Sequence, residues 1–209
     1  LFVYPNSAAA SNVQRIIDNV SEEGGRADEI AARAADPEYA LNAYDYFENL
    51  FGNYVLNIDK DVFKNKVVYI NVDDHIAGLL AGSDGMKIVK DTSTIVCFNY
   101  PESMENIIIN RVAVSTDGGN RFVNSVTGSS GNISADGHTN DEVDAEINQK
   151  IIYNIPASGT INLDAAGGVF LITNPESKTY VTGSSTGWAV TAGYMENDAE
   201  WHYIYKGVS

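Results

Sequence analysis

Short apolar runs separated by turn residues dominate the chain from Val55 to its C-terminal end. The runs are rich in Val, Ile, Tyr and Phe and are bounded by Gly, Asn, Asp, Ser or Pro, a pattern typical of β-strands. We therefore expect a mainly β fold with an N-terminal helical segment, either a β-solenoid (a β-helix-like stack with helices packed alongside) or a β-sandwich. The predicted strands are 67–72, 86–89, 94–100, 107–115, 121–126, 151–155, 159–163, 169–173, 178–182, 188–192 and 202–205.

The first 54 residues carry a helical pattern instead. Apolar residues recur there every three or four positions, with breaks at Gly24-Gly25 and Asp36-Pro37 and a stop at Gly52. We interpret the aromatic residues of this segment as a stripe that packs a helix on the core, not as a ligand groove. The stripe consists of Tyr44, Phe47, Phe51 and Tyr54. One domain over 1–209 is expected, with the helical segment at 1–54, a β-rich body at 55–209, and a mobile acidic loop near 127–148.

Three of the predicted strands resemble each other. Each has an Asn after a β-branched and aromatic run, and the Asn-to-Asn intervals are 28 from Asn71 to Asn99 and 55 from Asn99 to Asn154. These intervals are close to one and two repeats of a common unit, as in one coil of a broad β-helix. We expect the three Asn side chains to lie at a recurring turn and to hydrogen-bond along the stack.

The charge of the chain narrows the class of partner. With 13 basic and 28 acidic residues, the formal net charge is -15, which disfavours nucleic acids and anionic membrane surfaces. The single cysteine, Cys97, lies in an apolar run, so no intrachain disulfide forms and a buried thiol is expected. No run approaches the ~20 apolar residues of a membrane span, so we expect no membrane insertion in this segment. Because the chain starts at Leu1 without Met, we expect a mature or excised fragment.

An acidic stretch at 136–146 is the candidate metal site. Asp136, Asp141, Glu142 and Asp144 supply the oxygen ligands that calcium prefers, but their spacing is not that of an EF-hand. A solvated run of charges is the alternative interpretation. The three histidines have no zinc-binding spacing, and no nucleotide-binding glycine loop occurs, so no cofactor other than calcium is indicated.

Catalytic motifs are weak in this sequence. The segment Gly183–Gly187 has the form Gly-x-Ser-x-Gly, but a β-type run follows it in place of the helix that a nucleophile elbow requires. We expect a turn there and no enzymatic activity. A polysaccharide-active enzyme would need paired carboxylates on neighbouring coils, which the sequence does not identify.

Aromatic residues near the C-terminal end are the candidate ligand-binding residues. Trp188, Tyr194, Trp201 and Tyr203 could form a surface that recognises sugars, prolines or peptide backbone. The alternative is that these rings cap the last coil of the stack, because a solenoid must cover its open end.

Four segments resemble the choice-of-anchor A domain of bacterial cell-surface proteins. They are Ile151–Pro156, Val169–Pro175, Thr186–Val190 and Glu200–Tyr205, although Tyr203 stands where that family commonly has Asn. The resemblance implies a secreted β-rich domain displayed on a Gram-positive type of cell wall and acting in adhesion. The family offers no catalytic residue to transfer.

Two functions follow as expectations. The first is a non-catalytic, adhesin-type domain that binds host matrix protein, glycan or another cell-surface component. The second is a structural subunit of an extracellular fibre or surface layer, which would contact copies of itself. The apolar segment Leu1–Pro5 could pair with the sheet edge of a neighbouring copy, although it could equally be the first strand of its own fold.

Overall fold

The computed structural model of the chain describes residues 15–125, apart from 17 and 23, and residues 140–202. Strands form most of the regular structure, which confirms the predicted mainly β class. The strands are β1 (Phe47–Leu50), β2 (Asn53–Asn57), β3 (Val67–Asn71), β4 (Met86–Val89), β5 (Ile95–Asn99), β6 (Asn106–Ile109), β7 (Val112–Ser115), β8 (Val123–Asn124), β9 (Ile151–Ile155), β10 (Thr160–Leu163), β11 (Gly167–Ile172), β12 (Lys178–Val181), β13 (Ser185–Thr191), β14 (Tyr194–Asn197) and β15 (Trp201–His202). The α-helices with defined bounds are α1 (Arg26–Ala35), α2 (Asp74–Ala81) and α3 (Asn140–Val143).

The strands form three sheets. A six-stranded sheet has the order β15-β13-β11-β9-β5-β3, and a four-stranded sheet has the order β14-β12-β10-β6; all pairs in both are parallel. A five-stranded sheet, β1-β2-β4-β7-β8, is parallel at its centre and antiparallel at both edges. From β9 to β15 the chain alternates between the six-stranded and four-stranded sheets. Within both sheets, neighbouring strands therefore follow one another in chain order.

The core contains a column of aromatic rings. Alternate residues of a strand point to opposite faces, so Phe98, Tyr153 and Phe170, which occupy one register position of the six-stranded sheet, all face inward. Their ring centroids are 5.6 Å and 4.9 Å apart along the column. All three side chains are fully buried, and they fill the space between the sheets.

A second column runs along the outer face of the same sheet. Asn71, Asn99 and Asn154 occupy one register position in β3, β5 and β9. The Asn99 amide donates to Asn71 Oδ1 at 3.1 Å, and the Asn154 amide donates to Asn99 Oδ1 at 2.9 Å. This confirms the predicted hydrogen bonds between the three side chains, although the residues lie within strands and not at a turn. The predicted unit of about 28 residues is wrong, because Asn99 and Asn154 lie on directly neighbouring strands although they are 55 positions apart. The next residue of the column is Leu171, so the column of amides ends at Asn154.

Helix α1 lies across this outer face. Its apolar side chains, Ala27, Ile30 and Ala34, are buried, and Ile30 packs with Cys97 and Leu171 of the sheet. Asn154 donates to the Ala27 carbonyl at 3.2 Å, and Asn71 donates to the Ala34 carbonyl at 2.7 Å. Seven residues of helix span about 10.5 Å, close to the ~9.6 Å that separates β3 from β9. The helix axis therefore follows the direction in which the strands stack.

The helical prediction for residues 40–54 was wrong. Here the chain forms a short 3₁₀ turn, Ala43–Asp45, followed by the antiparallel hairpin of β1 and β2. The aromatic spacing of three and four residues fits a helix locally, but β2 pairs in parallel with β4 through Leu56 and Ile88. Pairing with a distant strand overrides the local periodicity. Of the predicted helical segment, α1 and the helical residues at 15–16 and 18–21 remain.

Two further predictions require correction. Residues 140–148, expected within a mobile acidic loop, form α3 and a π-helical turn whose Val143 and Ile147 are fully buried; residues 127–139 lie outside the described part. The predicted strand 107–115 is two strands, β6 and β7, which belong to different sheets. The chain changes sheet at Asn110, whose backbone amide donates to the Leu80 carbonyl at 2.8 Å.

The bounds predicted for β4 and β9 are confirmed. No described helix combines the length and apolar character needed to cross a membrane.

Candidate ligand-binding surface

The hairpin of β1 and β2 turns through a backbone conformation that its sequence does not favour. Its two loop residues, Phe51 and Gly52, have φ angles of 49° and 81°. Two positive φ angles in a two-residue loop are the mark of a type I′ turn, which suits the strand twist and prefers Asn-Gly. Gly adopts this conformation freely, whereas a bulky residue such as Phe is strained in it. The Phe51 side chain is nonetheless 73% exposed, so its retention at the tip is not explained by packing.

Four rings cluster beside this hairpin, and we call Tyr44, Phe47, Tyr54 and His75 the aromatic platform. Phe47 lies at the centre: it stacks on Tyr54 at 5.2 Å with the planes 9° apart, and it meets Tyr44 at 6.1 Å and His75 at 6.2 Å. Tyr44 and His75 are 5.8 Å apart. Tyr44 is 49% exposed and Tyr54 is 45% exposed, and His75 is also exposed. The aromatic rings thus form a contiguous patch on the surface.

Asp73 fixes the platform to helix α2. One carboxylate oxygen accepts the Ile76 amide at 2.9 Å, which caps the N-terminal end of the helix. The other accepts the Tyr44 hydroxyl at 2.5 Å. The hydrogen bonds from Ile76 and Tyr44 lower the pKa of Asp73, while the bond to Asp73 raises the pKa of Tyr44 to about 12. The Tyr44 ring is therefore held in place by its hydroxyl, while about half of the residue is exposed.

A small cleft adjoins the platform and shares Phe47 with it. Its volume is about 240 Å³. Asp45 and Glu48 contribute carboxylates to its wall, Lys60 contributes an amine, and Glu48 accepts a hydrogen bond from the Asn57 amide. The remaining lining residue is Tyr46, whose ring packs edge-on against Phe63 at 5.3 Å. The platform and the cleft together make a surface that combines aromatic rings with exposed carboxylates.

No family model, curated protein or solved structure matches this chain. The resemblance to the choice-of-anchor A domain therefore stays a prediction, and the geometry described above carries the functional argument.

The structure does not bring the predicted aromatic binding residues together. Trp201 packs edge-on against Phe170 at 6.1 Å and donates its indole N–H to the Gly187 carbonyl at 3.0 Å, so it extends the internal aromatic column. Trp188 shares a register position with Val169 on the outer face of the six-stranded sheet, and it is 44% exposed. For Trp201, this placement agrees with the capping alternative.

Tyr194 lies in the four-stranded sheet, in a different surface from Trp188. Its ring meets Tyr180 at 6.2 Å, and its hydroxyl donates to Glu196 at 2.8 Å, which raises the pKa of Tyr194. The ring is 54% exposed. Tyr203 lies outside the described residues. A role for Tyr194 and Trp188 in binding stays a prediction, but as separate contacts and not as one platform.

The candidate calcium ligands fall mostly outside the described part. Asp136 is not described, and neither are the side chains of Asp141 and Asp144; the Glu142 carboxylate pairs with Arg121. No group of three or more His, Cys, Asp or Glu side chains in the described residues is placed to hold a metal ion. A calcium site therefore stays a prediction.

An ion pair joins the 140–148 segment to the core. The Lys90 ammonium is fully buried and contacts Glu146 Oε2 at 3.1 Å, and Lys150 approaches the same carboxylate at 3.6 Å. Burial lowers the pKa of Lys90, and the interaction with Glu146 partly opposes that effect. A cleft of about 330 Å³ lies beside Glu146, with walls that include Arg121 and Glu142. Because its charges are already paired, we interpret this site as structural.

The predicted aromatic stripe contains three platform residues, Tyr44, Phe47 and Tyr54, and was assigned to packing; Phe47 does pack against the core, whereas Tyr44 and Tyr54 are about half exposed. A signal that could have located the helix cap is Asp73, because it precedes apolar residues at helical spacing, although no helix was predicted there. The hairpin has no such signal, because Phe-Gly is not a pair that marks a type I′ turn. The sequence did not show that the hairpin lies beside the N-terminal end of α2. Between the two in the chain lies β3, which belongs to the six-stranded sheet, whereas the hairpin belongs to the five-stranded sheet.

Proposed function

We propose that this chain is a non-catalytic, extracellular surface domain of the adhesin type, which binds a matrix protein, a glycan or another cell-surface component. The observation that carries the proposal is the aromatic platform, a patch of rings held beside a hairpin and a helix cap, in which Tyr44, Tyr54 and His75 are exposed around the half-buried Phe47. Exposed aromatic rings of this kind are the residues that dominate binding energy at protein surfaces. The strained and exposed Phe51 supports the same conclusion, since local strain is retained chiefly where it serves function.

The proposal includes an architecture of the β-solenoid type, with helices packed alongside the stack. Parallel pairing throughout two sheets supports it, as does the regular return of the chain to the same sheet after 16 to 19 residues, for example from Thr160 to Lys178. A sandwich, the alternative, is normally built from antiparallel strands. The acidic surface, with a net charge of -15, supports an extracellular location.

The test compares matched surface tyrosines. Tyr54→Ala removes a platform ring, and Tyr194→Ala removes an equally exposed ring from a different sheet. Both variants and the parent chain are applied to an array of matrix proteins and glycans, after circular dichroism has shown that each is folded. We expect Tyr54→Ala to weaken binding at least tenfold and Tyr194→Ala to leave it within twofold. Loss of binding by Tyr194→Ala alone would assign the function to the other surface.

A second candidate is a self-associating structural subunit. It is favoured by β1, an edge strand with a neighbour on one side only, which offers backbone groups to another strand. Exposed Glu48 on that strand acts against such pairing. Sedimentation of the chain with and without Leu1–Pro5 tests this candidate: a concentration-dependent polymer that requires Leu1–Pro5 supports it, and a monomer in both cases excludes it.

A further inference from the structure

We infer that the aromatic platform takes a cationic group, a lysine or arginine side chain on an exposed basic segment of a partner protein. The inference rests on the proposed function and specifies the chemistry of its ligand. It is carried by the juxtaposition of exposed rings with carboxylates in the 3₁₀ turn that precedes the hairpin and at the N-terminal end of helix α2.

The two segments that build this surface carry carboxylates and no Lys or Arg. Residues 34–59 contain five carboxylates and no Lys or Arg, and residues 67–86 contain three carboxylates and no Lys or Arg. Asp45, Asp73 and Asp74 are exposed beside the platform rings. A positive group that approaches the rings therefore meets negative charge from the hairpin side and from the helix side.

Neither of the cation–π contacts among the described residues involves a platform ring: Arg33 lies over Tyr39 and Lys87 over Phe122. Lys87 donates to Asn53 Oδ1 at 2.6 Å, and Asn53 points to the opposite face of β2 from its neighbour Tyr54. Lys60 lines the small cleft, which shares Phe47 with the platform. Since ring faces carry a negative quadrupole and attract ammonium and guanidinium groups, the platform offers cation–π contacts that no Lys or Arg among the described residues makes.

The shape of the surface favours a protein over a small molecule. Ligand pockets for small molecules are concave and enclose most of the ligand, whereas these rings lie open on a hairpin and the adjoining cleft is only about 240 Å³. Protein interfaces use exposed Tyr and Phe together with charge complementarity, and the net charge of -15 attracts a basic partner over a long range.

The test must separate ring chemistry from general attraction to an acidic protein. Binding is measured to an immobilised ten-residue Lys/Gly peptide, a matching Glu/Gly peptide and a neutral oligosaccharide, at two salt concentrations. The decisive variants leave the net charge unchanged: Tyr54→Phe keeps the ring face, and Tyr54→Leu keeps apolar bulk without it. Asp74→Asn removes a carboxylate beside the platform, and Glu176→Gln removes an exposed carboxylate from the turn between β11 and β12 as its matched control.

We expect the Lys/Gly peptide to bind, with Tyr54→Phe within twofold of the parent chain and Tyr54→Leu weaker by about fivefold or more. Asp74→Asn should weaken binding about threefold more than Glu176→Gln does. If Tyr54→Leu does not fold, the pair Tyr44→Phe and Tyr44→Leu makes the same comparison at another platform ring, since both variants lose the hydrogen bond to Asp73 equally. Equal binding by the parent and the Leu variant overturns the inference. If the neutral oligosaccharide binds instead and Tyr54→Leu abolishes that binding, the inference fails while the proposed function stands; if no platform variant alters any binding, both fail.

Discussion

Asn154→Asp reverses the hydrogen-bonding capacity of one buried atom and leaves the side-chain shape nearly unchanged. In the native chain the Asn154 amide donates to the Ala27 carbonyl at 3.2 Å and to Asn99 Oδ1 at 2.9 Å, and the residue is 1% exposed. A carboxylate at this position would direct a negative oxygen at two carbonyl oxygens. The substitution therefore tests whether the amide column holds α1 against the six-stranded sheet.

The cost can be estimated from two contributions. Two lost hydrogen bonds account for about 2 kcal/mol, at about 1 kcal/mol each. Burying a carboxylate without a donor adds about 2 kcal/mol or more, because the charged form is poorly solvated there. We therefore expect the free energy of unfolding to fall by about 4 kcal/mol at pH 7. Since burial raises the pKa of the new carboxyl above its unfolded value, the folded state binds the extra proton, and the loss should shrink as the pH falls towards 4.5.

The assay combines urea unfolding with the reactivity of the single cysteine. Cys97 lies fully buried next to Ile30 of α1, and burial raises the pKa of its thiol to about 12. Release of the helix would expose the thiol to a disulfide reagent before global unfolding. The control is Asn162→Asp, a half-exposed residue on the outer face of β10, which should change stability by about 0.5 kcal/mol or less. Equal unfolding curves and equal thiol rates for the two variants would refute the reasoning.

Three further predictions follow from the described contacts. Tyr153→Phe should raise the free energy of unfolding by about 1 kcal/mol in urea titrations. The reason is that the Tyr153 hydroxyl is buried without a hydrogen-bond partner within the described part of the chain. A decrease in the free energy of unfolding would contradict this prediction. Glu146→Gln should lower the free energy of unfolding by about 3 kcal/mol at pH 7, since Lys90 would remain charged and buried. Because burial holds the pKa of Lys90 below its unfolded value, this loss should diminish as the pH rises towards 10. A loss of stability that does not depend on pH would be evidence against the buried charge. Phe51→Asn should raise the free energy of unfolding by about 1 kcal/mol in urea titrations, by relieving the positive φ angle; a less stable variant would argue against strain at the turn.

Much of the strand content could be predicted from the sequence, because each strand carries its own signal. In β9, alternate residues are apolar and turn residues bound the run, so its limits were found without knowledge of its neighbours. The Asn column was predictable for a related reason: the same residue recurs after similar runs, and parallel strands in register place such residues side by side. These features depend on local pattern and on repetition, both of which are visible in one sequence.

The hairpin of β1 and β2 could not be predicted in the same way. Rings at 44, 47, 51 and 54 satisfy a helical period as well as they satisfy the faces of a hairpin, so local pattern does not distinguish the two. The pairing of Leu56 with Ile88 decides the outcome, and that pairing involves residues 32 positions apart. Tertiary contacts of this kind override propensity without leaving a local trace.

Aromatic content alone did not predict which rings cluster at the surface, and the reason is geometric. Trp201, on the edge strand β15, packs against Phe170 on the core side of its sheet, whereas Tyr54, on β2 between β1 and β4, stacks on Phe47 at the surface. A ring on the core side contributes to the stability of the stack, whereas clustered exposed rings are a candidate contact surface. At the hairpin tip, Phe51 has a backbone conformation that Asn would adopt with less strain, and its side chain lies in solvent. Strain and exposure together at one turn, beside four clustered rings, are what distinguish this surface from the other exposed tyrosines of the described chain.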